Sequence, residues 1–258
     1  MHSALFDLTG KVVLVTGATG GLGSSIAQTM AAQGATVLVS DVDAEACEVL
    51  VRDLHTKGQK AHALPADLSG LDTVNALATQ ALALYGRVDA LVCNAGVQGP
   101  AGPMAETTEA HWQKVMHLNL WSAVALTNAL LPPMAANGGG SVILMSSIAG
   151  LRGNKAIGLY GLSKAALTQL ARNLAVEWGP NGIRVNAISP GLIRTPLATD
   201  LLGNAEFMQR RLSLTPLRRV GEPHEIAGVA AMLASPAGAF ITGHNLVVDG
   251  GTTISDGN

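Results

Sequence analysis

The fold is decided by the stretch Val12-Val13-Leu14-Val15-Thr16-Gly17-Ala18-Thr19-Gly20-Gly21-Leu22-Gly23, in which an apolar run passes directly into a glycine-rich turn. A helical segment beginning at Ser24 follows it. Glycines at such a turn let the backbone approach a pyrophosphate, whose charge then lies among the free amides of a helix N-terminus. The stretch therefore predicts a dinucleotide-binding strand, turn and helix. Because residues 20 and 21 are both glycine, glycines at 17, 21 and 23 and at 17, 20 and 23 match equally well.

Short runs rich in β-branched residues recur between longer Ala- and Leu-rich segments. They are Val12–Val15, Thr36–Val39, Val88–Cys93, Val142–Met145, Ile183–Ile188 and Leu246–Val248. These runs are continuously apolar rather than alternating, as is typical of strands covered by helices on both faces. The pattern predicts an α/β fold, a Rossmann-like doubly wound parallel sheet flanked by helices on both faces, with residues 1–258 forming one domain. Residues 192–220 are long for a loop and are expected to hold short helices or to act as a substrate lid.

Composition excludes several classes of protein. Apolar residues make up 48% of the chain and charged residues 13%, and the net charge of −2 provides no basic stripe for nucleic acid. Cys47, Cys93 and the seven histidines show no metal-ligand spacing, so no metal site is predicted. The segment from Met1 to Gly10 resembles no export signal, and no apolar run is long enough to span a membrane. We expect a cytoplasmic protein.

The second apolar run ends at Asp41, about twenty residues beyond the glycine turn. A carboxylate there can accept hydrogen bonds from the adenosine ribose hydroxyls, which favours NAD. The 2′-phosphate of NADP would lie next to the Asp41 carboxylate with no cation to neutralise it, because no Lys or Arg lies between Lys11 and Arg52. The alternative is that Asp41 merely caps the helix that starts near Ala44.

Ser147, Tyr160 and Lys164 have a spacing that suits carbonyl chemistry. Tyr160 and Lys164 are one helical turn apart, so they share a face, and the ammonium can stabilise a phenolate. A tyrosine with a pKa of about 10 needs such help to act as a base at neutral pH. Alone, the pair is equally consistent with ordinary packing on a helix.

Taken together, the motifs resemble those of the short-chain dehydrogenase/reductase family in its compact form. The motifs are Thr16-Gly17 through Gly23, Asp67-Leu68, Asn94-Ala95-Gly96, Asn119, Ser146-Ser147, Tyr160 with Lys164, Asn186 and Pro190-Gly191. The resemblance covers nearly the whole chain, and it selects the glycine spacing 17, 21 and 23.

The resemblance implies specific roles for these residues. Ser147 would bind the substrate oxygen, Tyr160 would be the acid/base, Lys164 would also bind the nicotinamide ribose, and Asn119 would help hold a water relay. The implied contacts with the dinucleotide come from Gly17, Thr19, Gly21, Leu22, Gly23, Asp41, Asp67, Leu68, Asn94, Ala95, Gly96, Tyr160, Lys164, Pro190, Gly191, Ile193 and Thr195.

Simpler interpretations exist for three of these groups. Asp67 can cap the next helix, Asn94-Ala95-Gly96 can be a turn, and Thr195-Pro196 can start a helix.

The substrate is expected among residues 98–103, 151–158 and 192–220, in a largely apolar pocket under the lid. Arg152 and Arg194 lie near its expected mouth and can bind an anion or remain solvated.

We rank first an NAD-dependent dehydrogenase of secondary alcohols, polyols or hydroxysteroid-like compounds. An NADPH-dependent reductase resembling the 3-oxoacyl-carrier-protein reductases is second, and a non-catalytic dinucleotide-sensing scaffold is the alternative of another class. The resemblance also implies a homotetramer.

Overall fold

A computed structural model describes residues 4–255 of the chain. Residues 1–3, which open the segment examined for an export signal, lie outside the described residues, as do residues 256–258. The strands are β1 (Val12–Thr16), β2 (Thr36–Ser40), β3 (Lys60–Ala63), β4 (Ala90–Cys93), β5 (Gly140–Met145), β6 (Ile183–Pro190) and β7 (Asn245–Val248). All six predicted runs therefore lie in strands, although β4 begins two residues later than its run.

The helices of the described part of the chain alternate with these strands. They are α1 (Gly21–Ala32), α2 (Ala44–Thr56), α3 (Leu71–Tyr85), α4 (Glu109–Met116), α5 (Ser122–Ala136), α6 (Gly158–Trp178), α7 (Thr199–Gly203), α8 (Ala205–Ser213) and α9 (Pro223–Ala234). A π-helical turn, His117–Trp121, joins α4 to α5. No helix among residues 4–255 is long and apolar enough to cross a membrane.

The strands form one parallel sheet in the order β3-β2-β1-β4-β5-β6-β7. The order reverses between β1 and β4, and the carboxyl ends of strands at such a switch point border the ligand crevice of open α/β sheets. The predicted doubly wound parallel sheet is confirmed.

Successive side chains of β1 pack into two separate apolar cores. Val13 and Val15 belong to the core that includes α1, α2 and α9, whereas Val12 and Leu14 belong to the core that includes α3, α5 and α6. Because adjacent side chains of a strand point to opposite faces, a strand buried on both sides must be continuously apolar.

The edge strand β3 was missed from the sequence. Its residues Lys60-Ala61-His62-Ala63 alternate between exposed and buried positions, and it pairs with β2 along one edge only. A short edge strand has little need of a continuous apolar run, so it lacks the signal that marks the buried strands.

Candidate active site

The glycine turn follows β1 and leads into α1. Gly17 has a φ of +61°, and a Cβ atom added to Gly23 would lie 1.9 Å from the Gly17 carbonyl oxygen. A Cβ at Gly21 would lie 2.8 Å from Thr195 and Pro196, whereas one at Gly20 would meet nothing closer than 3.5 Å. The turn thus requires glycine at 17, 21 and 23, and tolerates a side chain at 20.

The N-terminus of α1 opens toward this turn. Its first turn carries no acidic residue, and its N-cap, Gly20, makes no side-chain hydrogen bond that would occupy the amides. Free amides and the positive end of the helix dipole favour an anion. The turn therefore fits the pyrophosphate of a dinucleotide.

Asp41 lies at the end of β2, beside the glycine turn. Its Oδ2 accepts hydrogen bonds from the Thr19 amide at 3.0 Å and the Thr19 hydroxyl at 2.6 Å, and its Oδ1 accepts from the Val42 amide at 2.7 Å. The cap of α2 is Asp43, whose carboxylate accepts from the Ala46 amide. The alternative that Asp41 caps this helix was therefore wrong, and Asp41 instead lines the groove along the turn.

Asn94 joins the glycine turn to β4. Its Nδ2 donates to the carbonyl oxygens of Thr16 and Gly17, at 3.1 and 2.9 Å, and the Ala95 amide donates to the Thr16 hydroxyl at 3.2 Å. Asn94 and Gly96 also line the groove. The segment 94–96 is thus more than a simple turn, because it fixes the position of the glycine turn.

Asp67 and Leu68 stand apart from this groove. The exposed Asp67 carboxylate accepts from the Ser69 amide at 2.9 Å, which lowers its pKa, while Leu68 packs in the core on the α3 side. The N-cap of α3 is Gly70, so the alternative that Asp67 caps this helix was wrong. Their contact with an adenine stays a prediction.

Ser147, Tyr160 and Lys164 meet at the carboxyl end of β5, as their spacing predicted. Ser147 follows the strand, and Tyr160 and Lys164 lie in α6 with the Lys164 ammonium 5.5 Å from the centre of the Tyr160 ring. The Lys164 Nζ donates to the Met145 carbonyl oxygen at 2.8 Å, and the Ser146 hydroxyl donates to the Lys164 carbonyl oxygen at 2.7 Å. Ser146, whose part sequence analysis did not foresee, therefore anchors α6 to the end of β5.

Burial shifts the titration of both α6 groups. It lowers the pKa of Lys164 to about 8, so the cationic fraction of this side chain falls as the pH rises through that value. Burial raises the pKa of Tyr160, and hydrogen bonding by Ser147 offsets this only in part. These two effects leave the Tyr160 pKa above its ordinary value, and the lowering expected once a cationic nicotinamide joins Lys164 stays a prediction.

Asn119 is buried in the π-helical turn. Its Nδ2 donates to the Val97 carbonyl oxygen at 2.8 Å and to the Ser163 hydroxyl at 3.0 Å, and its Oδ1 accepts from the Val97 amide at 2.8 Å. Both amide hydrogens are therefore used within the protein. A carboxamide oxygen has two acceptor positions, so Oδ1 keeps one for a water molecule. The same hydrogen bonds hold Val97 next to Ser163, the residue before Lys164.

Two adjoining spaces meet at Tyr160. The first is the groove along the glycine turn, which Gly17, Asp41, Asn94 and Lys164 line. The second is a cavity of about 170 Å³. Tyr160, Ser146, Leu22, Thr195 and Leu197 line both of them. Tyr160 therefore stands where ligands bound in the two spaces would come together.

The second space is lined by the chain after β6. Pro190, Gly191 and Ile193 contribute to its wall, and Thr195 precedes a 3₁₀ turn, Pro196–Ala198, without a side-chain cap. The helix start predicted at Thr195-Pro196 is thus present, and Thr195 also lines both spaces. Beyond it, α7 and α8 supply the short helices expected in residues 192–220.

The two arginines singled out in the sequence differ in position. Arg152 lines the cavity, whereas the Arg194 Nε donates to Glu222 Oε1 at 3.0 Å in an exposed ion pair. Arg211 on α8 also lines the cavity and was missed. No pattern in the sequence marks Arg211, because only the folding back of α8 brings it there.

The chain is similar to known proteins over nearly its whole length. Residues 17–253 match the family model described as enoyl-(acyl carrier protein) reductase. The 7alpha-hydroxysteroid dehydrogenase of Escherichia coli is 39% identical over 247 residues, covering 95% of this chain and 94% of its own. Dehydrogenase/reductase SDR family member 4 of Sus scrofa is 38% identical, covering 95% and 88%.

The chain belongs to the short-chain dehydrogenase/reductase family. A solved structure of 7 alpha-hydroxysteroid dehydrogenase with NADH and 7-oxo glycochenodeoxycholic acid superimposes with a TM-score of 0.93, at 38% identity and 97% coverage of both chains. A gluconate 5-dehydrogenase from Burkholderia cenocepacia with NADP and tartrate has a TM-score of 0.94, at 30% identity and 98% coverage of both. As a short-chain dehydrogenase/reductase, this protein is an oxidoreductase acting on CH-OH and C=O groups. The non-catalytic scaffold alternative is set aside.

Proposed function

We propose that this protein is an NAD(H)-dependent oxidoreductase that interconverts a secondary alcohol and a ketone, with Tyr160 as its general acid and base. The observation that carries the proposal is the position of Tyr160, which lines both the groove of the glycine turn and the adjoining cavity. A dinucleotide in the first space and a carbonyl compound in the second would both reach it. Residues 1–258 would act as one catalytic domain.

The residues of the groove fit a nicotinamide dinucleotide. The glycines at 17, 21 and 23 would receive the pyrophosphate, Asp41 the adenosine ribose, and Lys164 the nicotinamide ribose. When bound, the nicotinamide supplies or accepts a hydride. Thr19, Leu22, residues 94–96 and residues 190–195 complete the proposed binding surface.

The cavity residues would manage the proton and the substrate oxygen. In the reductive direction the Tyr160 hydroxyl gives its proton to the carbonyl oxygen, and in the oxidative direction Tyr160 takes the proton of the alcohol. The Ser147 hydroxyl donates a hydrogen bond to the same oxygen. Lys164 places a cation 5.5 Å from the Tyr160 ring, which favours a phenolate. Asn119 supports this arrangement by fixing Val97 and Ser163, and we retain for it a part in a water relay.

The proposed cofactor is NAD rather than NADP. Asp41 is the charged residue on the groove wall near the turn, and the described residues that line this groove include no cation other than Lys164. The 2′-phosphate of NADP would therefore be repelled by the Asp41 carboxylate, with no cation beside it to neutralise its charge. The same absence of a cation disfavours the NADPH-dependent 3-oxoacyl-carrier-protein reductase alternative.

Coenzyme preference gives a direct prediction. We expect kcat/KM for NADH to exceed that for NADPH by about 100-fold. The repulsion between the 2′-phosphate and Asp41, together with the lost hydrogen bonds to the ribose, amounts to about 3 kcal/mol. Asp41→Asn should reduce this ratio at least about tenfold, as measured by initial rates with both coenzymes.

Asp43→Asn is the matched control, since Asp43 caps α2 two residues away and lies outside the groove. It should leave the coenzyme ratio within twofold. Equal kcat/KM values for NADH and NADPH in the unmodified enzyme would rule out the assignment.

We propose a substrate with a sizeable apolar body, such as a hydroxysteroid-like alcohol or ketone. Support comes from the similarity to a hydroxysteroid dehydrogenase and from the apolar wall of the cavity, which includes Ile157, Leu192, Ile193 and Leu201. Polyols remain a second class, because a gluconate 5-dehydrogenase has the same fold. The apolar wall favours the first class.

A substrate panel tests the reaction. Ketosteroids, aliphatic ketones and keto-polyols are offered with NADH, and loss of NADH absorbance is followed. We expect the highest kcat/KM among the ketosteroids. Dinucleotide binding without turnover of any member would contradict the proposed function.

We also propose a cytoplasmic homotetramer. Exposed apolar side chains occur on α6 at Val176, which is 82% exposed, and near the C-terminal end at Phe240 and Ile254. Large apolar side chains exposed in this way are enriched at subunit interfaces.

A further inference from the structure

Two arginines line the substrate cavity, and no carboxylate does among the described residues that form its wall. Arg152 follows the 3₁₀ turn Ile148–Gly150 on the body of the domain, and Arg211 lies on the lid helix α8. Arg152 is exposed and Arg211 is half-buried, and two cations that line one cavity without a counter-ion repel each other. Such a pair needs an explanation.

The position of Arg211 is fixed by its surroundings. Its guanidinium lies 5.4 Å from the centre of the Phe207 ring, one helical turn earlier, and the side chain is half-buried. Burial and the charge of Arg152 both lower the Arg211 pKa. The two guanidinium groups are thus close enough to repel each other.

Two other arginines of this region are neutralised by carboxylates, whereas Arg210 and Arg218 form no ion pair within residues 4–255 but do not line the cavity. Arg194 is paired with Glu222, and Arg219 is paired with Glu225. Within residues 4–255 neither Arg152 nor Arg211 forms an ion pair with a side chain of the protein. The missing negative charge is therefore expected from a ligand of the cavity.

We infer that Arg152 and Arg211 together bind a carboxylate of the substrate. The planar guanidinium group matches a carboxylate in a bidentate arrangement, and charge-assisted hydrogen bonds are the stronger class. The inference rests on the proposed function and specifies its substrate as a ketone or alcohol with a carboxylate on an apolar body.

The same contact would connect the lid to the body of the domain. The ends of the lid are held by the Arg194 amide donating to the Gly221 carbonyl oxygen at 2.9 Å, and the Gly221 amide donating to the Leu192 carbonyl oxygen at 3.0 Å. Between these ends, the Leu217 amide donates to the Gly250 carbonyl oxygen at 3.1 Å and the Thr215 hydroxyl hydrogen-bonds the Thr252 hydroxyl at 2.9 Å, so the chain is anchored just beyond α8. A carboxylate shared by Arg152 and Arg211 therefore stabilises the position of α8 when substrate is present.

A matched pair of substrates tests the inference. The probes are 7-oxo glycochenodeoxycholic acid and its uncharged methyl ester, with NADH as reductant. We expect a KM at least about tenfold lower for the acid, from at least one charge-assisted hydrogen bond. Arg211→Gln and Arg152→Gln should raise the KM of the acid by about tenfold or more, leave the KM of the ester within twofold, and leave kcat nearly unchanged.

Arg210→Gln is the control, because Arg210 is the exposed neighbour of Arg211 on α8 and does not line the cavity. It should change neither KM. Equal weakening of acid and ester, or an equal effect of Arg210→Gln, would overturn the carboxylate site while leaving the proposed reaction intact.

Calorimetric titration of the NADH-loaded protein separates the two proposals when turnover fails. Binding of the acid at least about tenfold tighter than the ester, abolished in the Arg152→Gln/Arg211→Gln double variant, supports the site without any reaction. If the acid, the ester and every other member of the substrate panel are inert as substrates, the proposed function fails on its own. If the acid binds no better than the ester, the carboxylate site is refuted.

Discussion

Tyr160→Phe is expected to lose at least about a hundredfold in kcat, the usual contribution of a general acid or base. The phenyl ring keeps the shape of the side chain and its packing beside Lys164, so only the hydroxyl at the junction of the two spaces is removed. The substrate oxygen then has no proton donor. The loss is measured by NADH absorbance with a saturating ketone.

The chain provides a matched control for this variant, since it contains only two tyrosines. The Tyr85 hydroxyl hydrogen-bonds the exposed His62 ring at 2.6 Å, far along the chain from the site. Tyr85→Phe should retain kcat, and both variants should retain the NADH Kd, followed by tryptophan fluorescence. Turnover of Tyr160→Phe within a few-fold of the unmodified enzyme would refute the assigned role.

Gly23→Ala is expected to weaken NADH binding by about a hundredfold or more. The added Cβ would lie 1.9 Å from the Gly17 carbonyl oxygen and 2.8 Å from the Asn94 side-chain Nδ2. Neither atom can move away without distorting the turn. Asn94 Nδ2 binds both Thr16 and Gly17, so the distortion reaches β1 and β4. Overpacking of this kind typically destabilises by about 1–3 kcal/mol, and a Tm lower by about 2–10 °C is expected.

Gly20→Ala separates this effect from a general need for flexibility in the turn. A Cβ at Gly20 is 3.5 Å from its nearest neighbour, and this glycine has no left-handed φ. We expect an NADH Kd within about threefold of the unmodified value and an unchanged Tm, by fluorescence titration and calorimetry. Equal losses in the two variants would contradict the assignment of glycines 17, 21 and 23.

Where burial dictates residue type, the sequence predicted the structure. Strands covered on both faces must be continuously apolar, so β1, β2, β4, β5 and β6 were visible as runs. The edge strand β7 is partly exposed and was visible because Leu246–Val248 is itself apolar. Lys60–Ala63 lies at an open edge and carried no such signal. The helical spacing of Tyr160 and Lys164 was equally local, because one turn of α6 is enough to set it.

The sequence by itself determined six of the strands, the glycine turn, and the helical pairing of Tyr160 with Lys164, since each depends on neighbours within a few residues. Only the tertiary structure gave the physical reason for glycine at 17, 21 and 23, because Asn94, Thr195 and Pro196 on distant segments leave no room for a Cβ atom there. It alone showed that Asp43 rather than Asp41 caps α2, and that burial works against ionisation of both Tyr160 and Lys164. It also brought Arg211 to Arg152, because contacts between residues far apart in sequence leave no periodic pattern in the chain.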